Sequence, residues 1–384
     1  MYVLTNCVIY TNSNDEDSAV LHDHCVVVDG ELIRAILPMT ECPAELEKVD
    51  LAGAKLCAGF IDLQLNGCGG VLFNNDISVA TLAIMQATNE RFGCTSFLPT
   101  LITTNDNDMH KAVAVMADYQ QQFNNQALGL HLEGPYLSSA KKGIHNSELI
   151  RTSEQHMIDF MCDNSTQICT VTVAPEQVES QHIQQLSQAN IQVALGHSNA
   201  SYEVAMQGFT AGASFTTHLF NAMSSITGRD PGVVGATFDS KDNYAGIIVD
   251  GHHVDYANVR MSHKLLRDRL VLVTDAVAPA GADIDSFDFV GTEVFYRDGK
   301  CVGADGTLGG SALTMIEAVE NTVKHVGLPL VEGLRMASLY PAKAIGVDDK
   351  LGSIRVGKVA NITVFDDDFN VQKTIVNGQM KSFS

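Results

Sequence analysis

The sequence predicts an α/β protein: a (β/α)8 TIM-type barrel accompanied by a small discontinuous β-sandwich domain built from both termini. Three observations carry this prediction. Eight short apolar runs recur at a mean spacing of about 30 residues, each followed by a helical or loop crossover. The runs are continuously apolar rather than alternating, as parallel strands covered on both faces should be. Strand-rich segments with Asp-Gly and Asn-Gly turns stand at both ends of the chain.

The first 54 residues read as strands: Tyr2–Leu4, Cys7–Tyr10 and Cys25–Leu37, the last folded at Asp29-Gly30. They are too few to bury both faces. From Cys57 the pattern changes. The expected barrel strands are Phe60–Leu65, Thr95–Thr100, Leu128–Glu133, Thr170–Ala174, Gln192–His197, Ser214–His218, Ala245–Asp250 and Leu270–Asp275. Amphipathic or alanine-rich helices are expected between them, as at Val79–Phe92, Met109–Gln122, Glu179–Ala189 and Ser201–Ala211. An insertion, Pro279–Ser311, carries a hairpin over Glu293–Val302 with an Asp-Gly turn. Helices follow over Thr314–His325 and Val331–Ala344. The tail returns to strand pattern at Ala360–Phe365 and Val371–Val376, which completes the N-terminal sheet. The expected division is therefore 1–54 plus 355–384 for the small domain and 55–354 for the barrel. An open doubly wound sheet is the competing topology; no G-x-G-x-x-G follows the first barrel strand to support a dinucleotide version.

Composition narrows the partners. A formal charge of −21 weighs against nucleic acid or anionic lipid, and an anionic substrate would need local donors to overcome the protein's own field. No run approaches the roughly 18 apolar residues of a membrane span, and the start lacks the pattern of a signal peptide. Nine dispersed cysteines without close pairs read as reduced thiols, so the expected location is cytoplasmic.

The chemistry gathers where the apolar runs stop. In such barrels the C-terminal strand ends carry the active site. Here they carry Gln64 and Asn66 (first strand), Glu133 (third), His197 (fifth), His218 (sixth), His252 and His253 (seventh) and Asp275 (eighth). One carboxylate and two imidazoles, Glu133, His197 and His218, are three ligands with a position left for water, the arrangement of a catalytic metal centre. Asp275, ending the run Val271-Leu-Val-Thr, is expected as the general base and acid. His145 and Arg229 are loop candidates, the latter suited to holding a phosphate or carboxylate. His131, on the same face as Glu133, is expected to be packed below it.

Several stretches together resemble the amidohydrolase superfamily and, within it, the N-acetylglucosamine-6-phosphate deacetylases. They are Ala58-Gly-Phe-Ile-Asp62, Gln64–Gly70, Leu98-Pro-Thr-Leu101, Gly129-Leu-His-Leu-Glu-Gly-Pro135, Lys142-Gly-Ile-His-Asn146, Gly196-His-Ser198, Thr217–Met223, Asp250-Gly-His-His253, Thr274-Asp-Ala276 and the stretch from Gly346 through Asp366. The resemblance spans essentially the whole chain. It implies hydrolysis of the acetamide of N-acetylglucosamine 6-phosphate, a metal on Glu133, His197 and His218, and Asp275 as acid/base. It implies substrate contacts at Ile144, His145, Asn221, Ala222, Arg229, the segment Asp250-Gly251-His252-His253 and the stretch Leu308-Gly309-Gly310. It also implies a homodimer in which Arg229 reaches the neighbouring subunit's phosphate site.

One departure from the superfamily is informative. Many members carry His-x-His at the end of the first strand to bind a second metal. Gln64 and Asn66 occupy those places, and amides are poor zinc ligands. No lysine ends the fourth strand to bridge two ions. One divalent ion per subunit is expected, zinc foremost, with iron, cobalt, nickel or manganese also suited to the donors. Cyclic-amide hydrolysis, nucleobase deamination and a non-catalytic scaffold are the rival readings. The first is opposed by the missing dinuclear ligands, the last by the presence of Glu133, His197, His218 and Asp275 together.

Overall fold

The computed structural model describes residues 1–13 and 16–383. Eight parallel strands form one sheet in sequence order: β1 (Phe60–Leu65), β2 (Cys94–Ile102), β3 (Leu130–Glu133), β4 (Ile168–Val173), β5 (Gln192–Leu195), β6 (Phe215–Thr216), β7 (Tyr244–Ile247) and β8 (Leu270–Leu272). The first and last meet just beyond β8. The Asp275 N–H donates to the Gln64 carbonyl at 2.9 Å, the Asn66 N–H donates to the Ala276 carbonyl at 2.9 Å, and Leu65 bridges Ala276 in parallel. This closes the barrel and sets Gln64, Asn66 and Asp275 side by side.

The strand runs are apolar because both of their faces are covered. β1 and β2 are buried at every residue, and their side chains join the large cluster that fills the space between strands and helices. Among the helices outside are Val79–Glu90, Asp106–Gln122, Ser180–Gln188 and Tyr202–Ala211. Three of these four begin at a capping side chain, Ser78, Asn105 and Ser201, each accepting the backbone N–H three residues on. The expected single helix Val331–Ala344 is instead two, Leu330–Ala337 and Leu339–Ala344, broken at Ser338. The break places Pro341 in the first turn of the second helix, where its missing N–H costs nothing.

Strands from both termini make two further sheets. Leu32–Pro38, His24–Asp29, Tyr2–Thr5 and Glu47–Asp50 form one. Gln379–Ser382, Val371–Val376, Ile362–Phe365, Lys55–Ala58, Val8–Tyr10 and Val20–Leu21 form the other. Leu4, Val26, Val28 and Ile33 of the first sheet pack with Ile9, Leu56, Ile362 and Ile375 of the second in one cluster, so the pair is a sandwich. Ala58 leads through Gly59 into β1, which ties the sandwich to the barrel. The insertion after β8 forms a three-stranded sheet over Ser286–Phe289, Thr292–Arg297 and Lys300–Gly303. Its expected turn is present: Asp298 and Gly299 both have positive φ, 51° and 78°, and Arg297 pairs with Lys300.

Four of the expected strand ends differ in a consistent way. The extended ladders of β5, β6, β7 and β8 stop at Leu195, Thr216, Ile247 and Leu272, before the polar residues expected to end them. His197, His218 and Asp275 instead take left-handed backbone, with φ of 47°, 27° and 49°. A non-glycine residue held there costs about 1–3 kcal/mol. The surrounding structure must hold these three in place.

Candidate active site

Glu133, His197 and His218 converge at the C-terminal mouth of the barrel. Glu133 Oε1 lies 3.2 Å from His197 Nε2 and 3.0 Å from His218 Nε2, and the two imidazole nitrogens are 3.0 Å apart. All three residues are buried, exposing 2%, 5% and 3% of their surface. Glycine makes this approach possible at β5: a Cβ on Gly196 would come within 2.7 Å of Thr217 Cβ.

The donor chemistry fits a cation. His197 Nδ1 lies 2.9 Å from the Lys141 carbonyl. A carbonyl only accepts, so Nδ1 carries the hydrogen and Nε2 turns a lone pair towards Glu133 and His218. Lone pairs and a carboxylate so close repel one another unless a positive charge lies between them. A tetrahedral ion with bonds of about 2.0 Å sets its donors about 3.3 Å apart, close to the spacing found. The same three residues make one of two groups among the described residues with metal-ligand spacing; the other, Asp106, Glu154 and His156, lies at the surface.

Asp275 stands one amide away. Gln64 Nε2 donates to Glu133 Oε1 at 3.0 Å and to Asp275 Oδ1 at 3.2 Å, while Asn66 Nδ2 donates to the same Oδ1 at 2.7 Å. Burial, and then the charge of Glu133, push the Asp275 carboxyl up to about 6. The two amides at the end of β1 thus hold the carboxylates apart and oriented. Below them His131 is packed, as expected. Its Nε2 lies 2.7 Å from Thr172 Oγ1, and burial brings its pKa down to about 4.

A cavity of 380 Å³ opens over this centre. Ile144, His145, Asn221, Ala222, Leu308 and Gly310 line it, as does His253. His145, a loop residue of uncertain exposure from sequence, is in fact 2% exposed. Its Nδ1 is 2.8 Å from Thr103 Oγ1, its ring lies 4.4 Å from that of His197, and burial and His197 hold its pKa well below the usual value. Gly309 lies behind Leu308, where a Cβ would meet Ile144 Cδ1 at 2.7 Å.

Other expected contacts sit elsewhere. Asp250 and His252 line a separate cleft with Tyr296, Gly299 and Glu317, and Gly251 makes the turn between them with φ 73°. Arg229 lies in a loop exposed from 225 to 231 and is absent from the cavity lining of its own chain. Lys141 and Thr307 are among the residues missed from sequence. The Lys141 carbonyl orients His197 while the rest of the residue lines the cavity, and Thr307 lines it from the insertion. A backbone carbonyl leaves no trace in side-chain identity. The adjacent Lys142-Gly-Ile-His motif was the available signal for Lys141.

A parallel barrel with a buried carboxylate–imidazole trio and a neighbouring aspartate at its mouth is the architecture of metal-dependent hydrolases. The chain belongs to the amidohydrolase family, whose profile matches residues 56–381, and residues 1–56 match the NagA composite domain. It is 50% identical to an N-acetylglucosamine-6-phosphate deacetylase of Haemophilus influenzae, over 99% of each chain. It is 36% identical to an N-acetylgalactosamine-6-phosphate deacetylase of Escherichia coli O157:H7, over 94% of this chain and 96% of the other. The crystal structure of N-acetylglucosamine-6-phosphate deacetylase from Pasteurella multocida superposes with a TM-score of 0.97, at 58% identity and full coverage of both chains.

Proposed function

We propose that the chain hydrolyses the acetamide of N-acetylglucosamine 6-phosphate to glucosamine 6-phosphate and acetate, in cytoplasmic amino-sugar recycling. The observation that carries this is the shared Gln64 amide, which places Asp275 beside Glu133, His197 and His218 at the floor of a cavity of 380 Å³. One divalent ion on Glu133, His197 and His218, zinc foremost, supplies Lewis acidity and brings the pKa of water towards about 7. Asp275 takes a proton from the attacking water as its oxygen bonds to the acetamide carbon. The C–N bond then breaks, and Asp275 returns that proton to the departing amine nitrogen. His145 donates to the acetamide oxygen from Nε2 when the Thr103 hydroxyl donates to its Nδ1. The barrel performs this chemistry; the sandwich anchors it, and it takes in Lys55–Ala58, four residues beyond the expected boundary at 54.

The phosphate falls to Arg229 of the neighbouring subunit in a homodimer, with backbone amides near Asn221 and Ala222. Support comes from the loop itself. It is exposed yet braced, Thr227 N–H donating to the Asp230 carbonyl at 2.8 Å and Asp230 N–H to Thr227 Oγ1 at 3.0 Å. Beside Arg229 it presents Ile226, 52% exposed. No helix among the described residues is long and apolar enough to cross a membrane. Acetate release tests the reading on three substrates: N-acetylglucosamine 6-phosphate, its unphosphorylated sugar and N-acetylgalactosamine 6-phosphate. The first should be preferred. Equal turnover of phosphorylated and unphosphorylated sugar refutes the phosphate site, and faster turnover of the galactosamine epimer reassigns the substrate.

A further inference from the structure

Asp250 was expected to touch substrate, and its carboxylate is fully engaged elsewhere. Oδ1 accepts the backbone N–H groups of His252 and His253, both at 2.8 Å. Oδ2 lies 2.6 Å from His253 Nδ1. The two side chains are 6% and 8% exposed, so water does not compete freely for this contact. We infer that Asp250 is a positioning residue: it fixes the hydrogen of His253 on Nδ1 and so determines that Nε2 is the atom offered to the substrate cavity. The inference rests on reading that cavity as the deacetylase site.

The argument is one of donor and acceptor count. An ionised carboxylate only accepts, so Nδ1 must carry the hydrogen in either charge state of the ring. His253 reaches the cavity lining, whereas its neighbour His252 faces the outer cleft beside Gly299. The Asp250-Gly251-His252-His253 turn therefore sends successive histidines to opposite sides, and Asp250 selects which nitrogen of the inner one meets the sugar. Among the described residues no other side chain is recorded within hydrogen-bond reach of His253 Nδ1. Orientation of this kind, a carboxylate ordering an imidazole from behind, is worth about 10–100-fold where it has been measured around ligating histidines.

Asparagine makes the informative variant. In Asp250→Asn the amide oxygen keeps both backbone hydrogen bonds, so the turn survives. The amide NH2 then faces His253 Nδ1 as a donor and moves the ring hydrogen to Nε2. Imidazole 15N chemical shifts of His253 in the free protein should report this change of tautomer, and kcat/KM should fall about 10–100-fold with metal content unchanged. In a His253→Gln background the same substitution should have no further effect, as expected for two residues acting as one unit. An unchanged tautomer, or an Asp250→Asn loss that adds in full to that of His253→Gln, overturns the inference. The tautomer is read without substrate, so this inference and the assignment of activity fail separately.

Discussion

The floor of the cavity and the loop bearing Arg229 stand at opposite extremes of self-sufficiency. At the floor, Glu133, His197 and His218 are nearly sealed, and Asp275 is held by two amides of the same chain. Three of these four residues are kept in left-handed backbone that few side chains adopt unaided. The 225–231 loop is exposed throughout, and among the described residues no side chain bonds the Arg229 guanidinium. The difference separates two tasks. Bond breaking requires groups fixed in advance; under the proposed function, phosphate recognition would fall to a group absent from the cavity lining of its own chain.

If the floor is a metal centre, removing its acidic donor should have the largest effect of any single change. Glu133→Gln is expected to lose the ion and turnover together, because an amide is a poor ligand for such ions and leaves two facing imidazoles without their anion. Metal analysis and acetate release of the same preparation check this; a fully loaded Glu133→Gln protein would remove Glu133 from the ligand set. Asp275→Asn should separate what Glu133→Gln joins. It keeps the trio intact, so metal content should match the parent while kcat falls about 10²–10⁴-fold, the usual contribution of a positioned acid and base. Loss of metal in Asp275→Asn would mean that Asp275 is itself a ligand.

The same contrast explains what could be read from sequence. Barrel, sandwich and trio were legible because parallel strands are apolar along their whole length, which makes Glu133, His197, His218 and Asp275 conspicuous as polar stops. The expected strands nevertheless ran past the true ends of β5, β6, β7 and β8. A left-handed turn at His197 or His218 is imposed by packing, and neither residue type signals it. The burial of the loop candidate His145 was not legible for a related reason. Its burial follows from the 139–146 loop folding back beneath His197 through the Lys141 carbonyl, a backbone contact with no residue-level signature. The resemblance implies Asp250 as a substrate contact, but side-chain geometry, which no motif reports, turns its carboxylate onto His253.

Arg229 offers the next smaller effect. Arg229→Ala should raise KM for the phosphorylated sugar about 10–100-fold, the equivalent of a lost charge-assisted hydrogen bond of about 1.5–3 kcal/mol, and leave the unphosphorylated sugar unaffected. A mixing experiment then tests whether the arginine acts across an interface. Asp275→Asn and Arg229→Ala each spoil every site in their own homodimer. With substrate well below the parental KM, a two-fold dimer that exchanges subunits would regain one intact site in each mixed pair, or roughly a quarter of parental activity at equal proportions. No recovery on mixing, with subunit exchange verified, would place Arg229 at its own chain's site or outside the mechanism.

The smallest effect concerns a carboxylate that does no chemistry. Asp62, on β1 and 1% exposed, ties the closing strands together: Oδ1 accepts the Gln64 N–H at 3.1 Å and the Thr274 N–H at 3.2 Å, and Oδ2 accepts the Thr274 hydroxyl. Burial outweighs these bonds and pushes its carboxyl up to about 7. An acid with a raised folded-state pKa binds its proton more tightly folded than unfolded. Its contribution therefore declines as pH climbs from about 4, the unfolded value, through about 7 in the folded protein. Asp62→Asn has no proton to lose. Whatever the amide costs in hydrogen bonding, the melting temperature of Asp62→Asn relative to the parent should improve between pH 5 and pH 8. A constant difference across that range would mean that Asp62 stays ionised, its charge carried by the Thr274 and Gln64 donors, and that barrel closure at β1 and β8 is insensitive to pH.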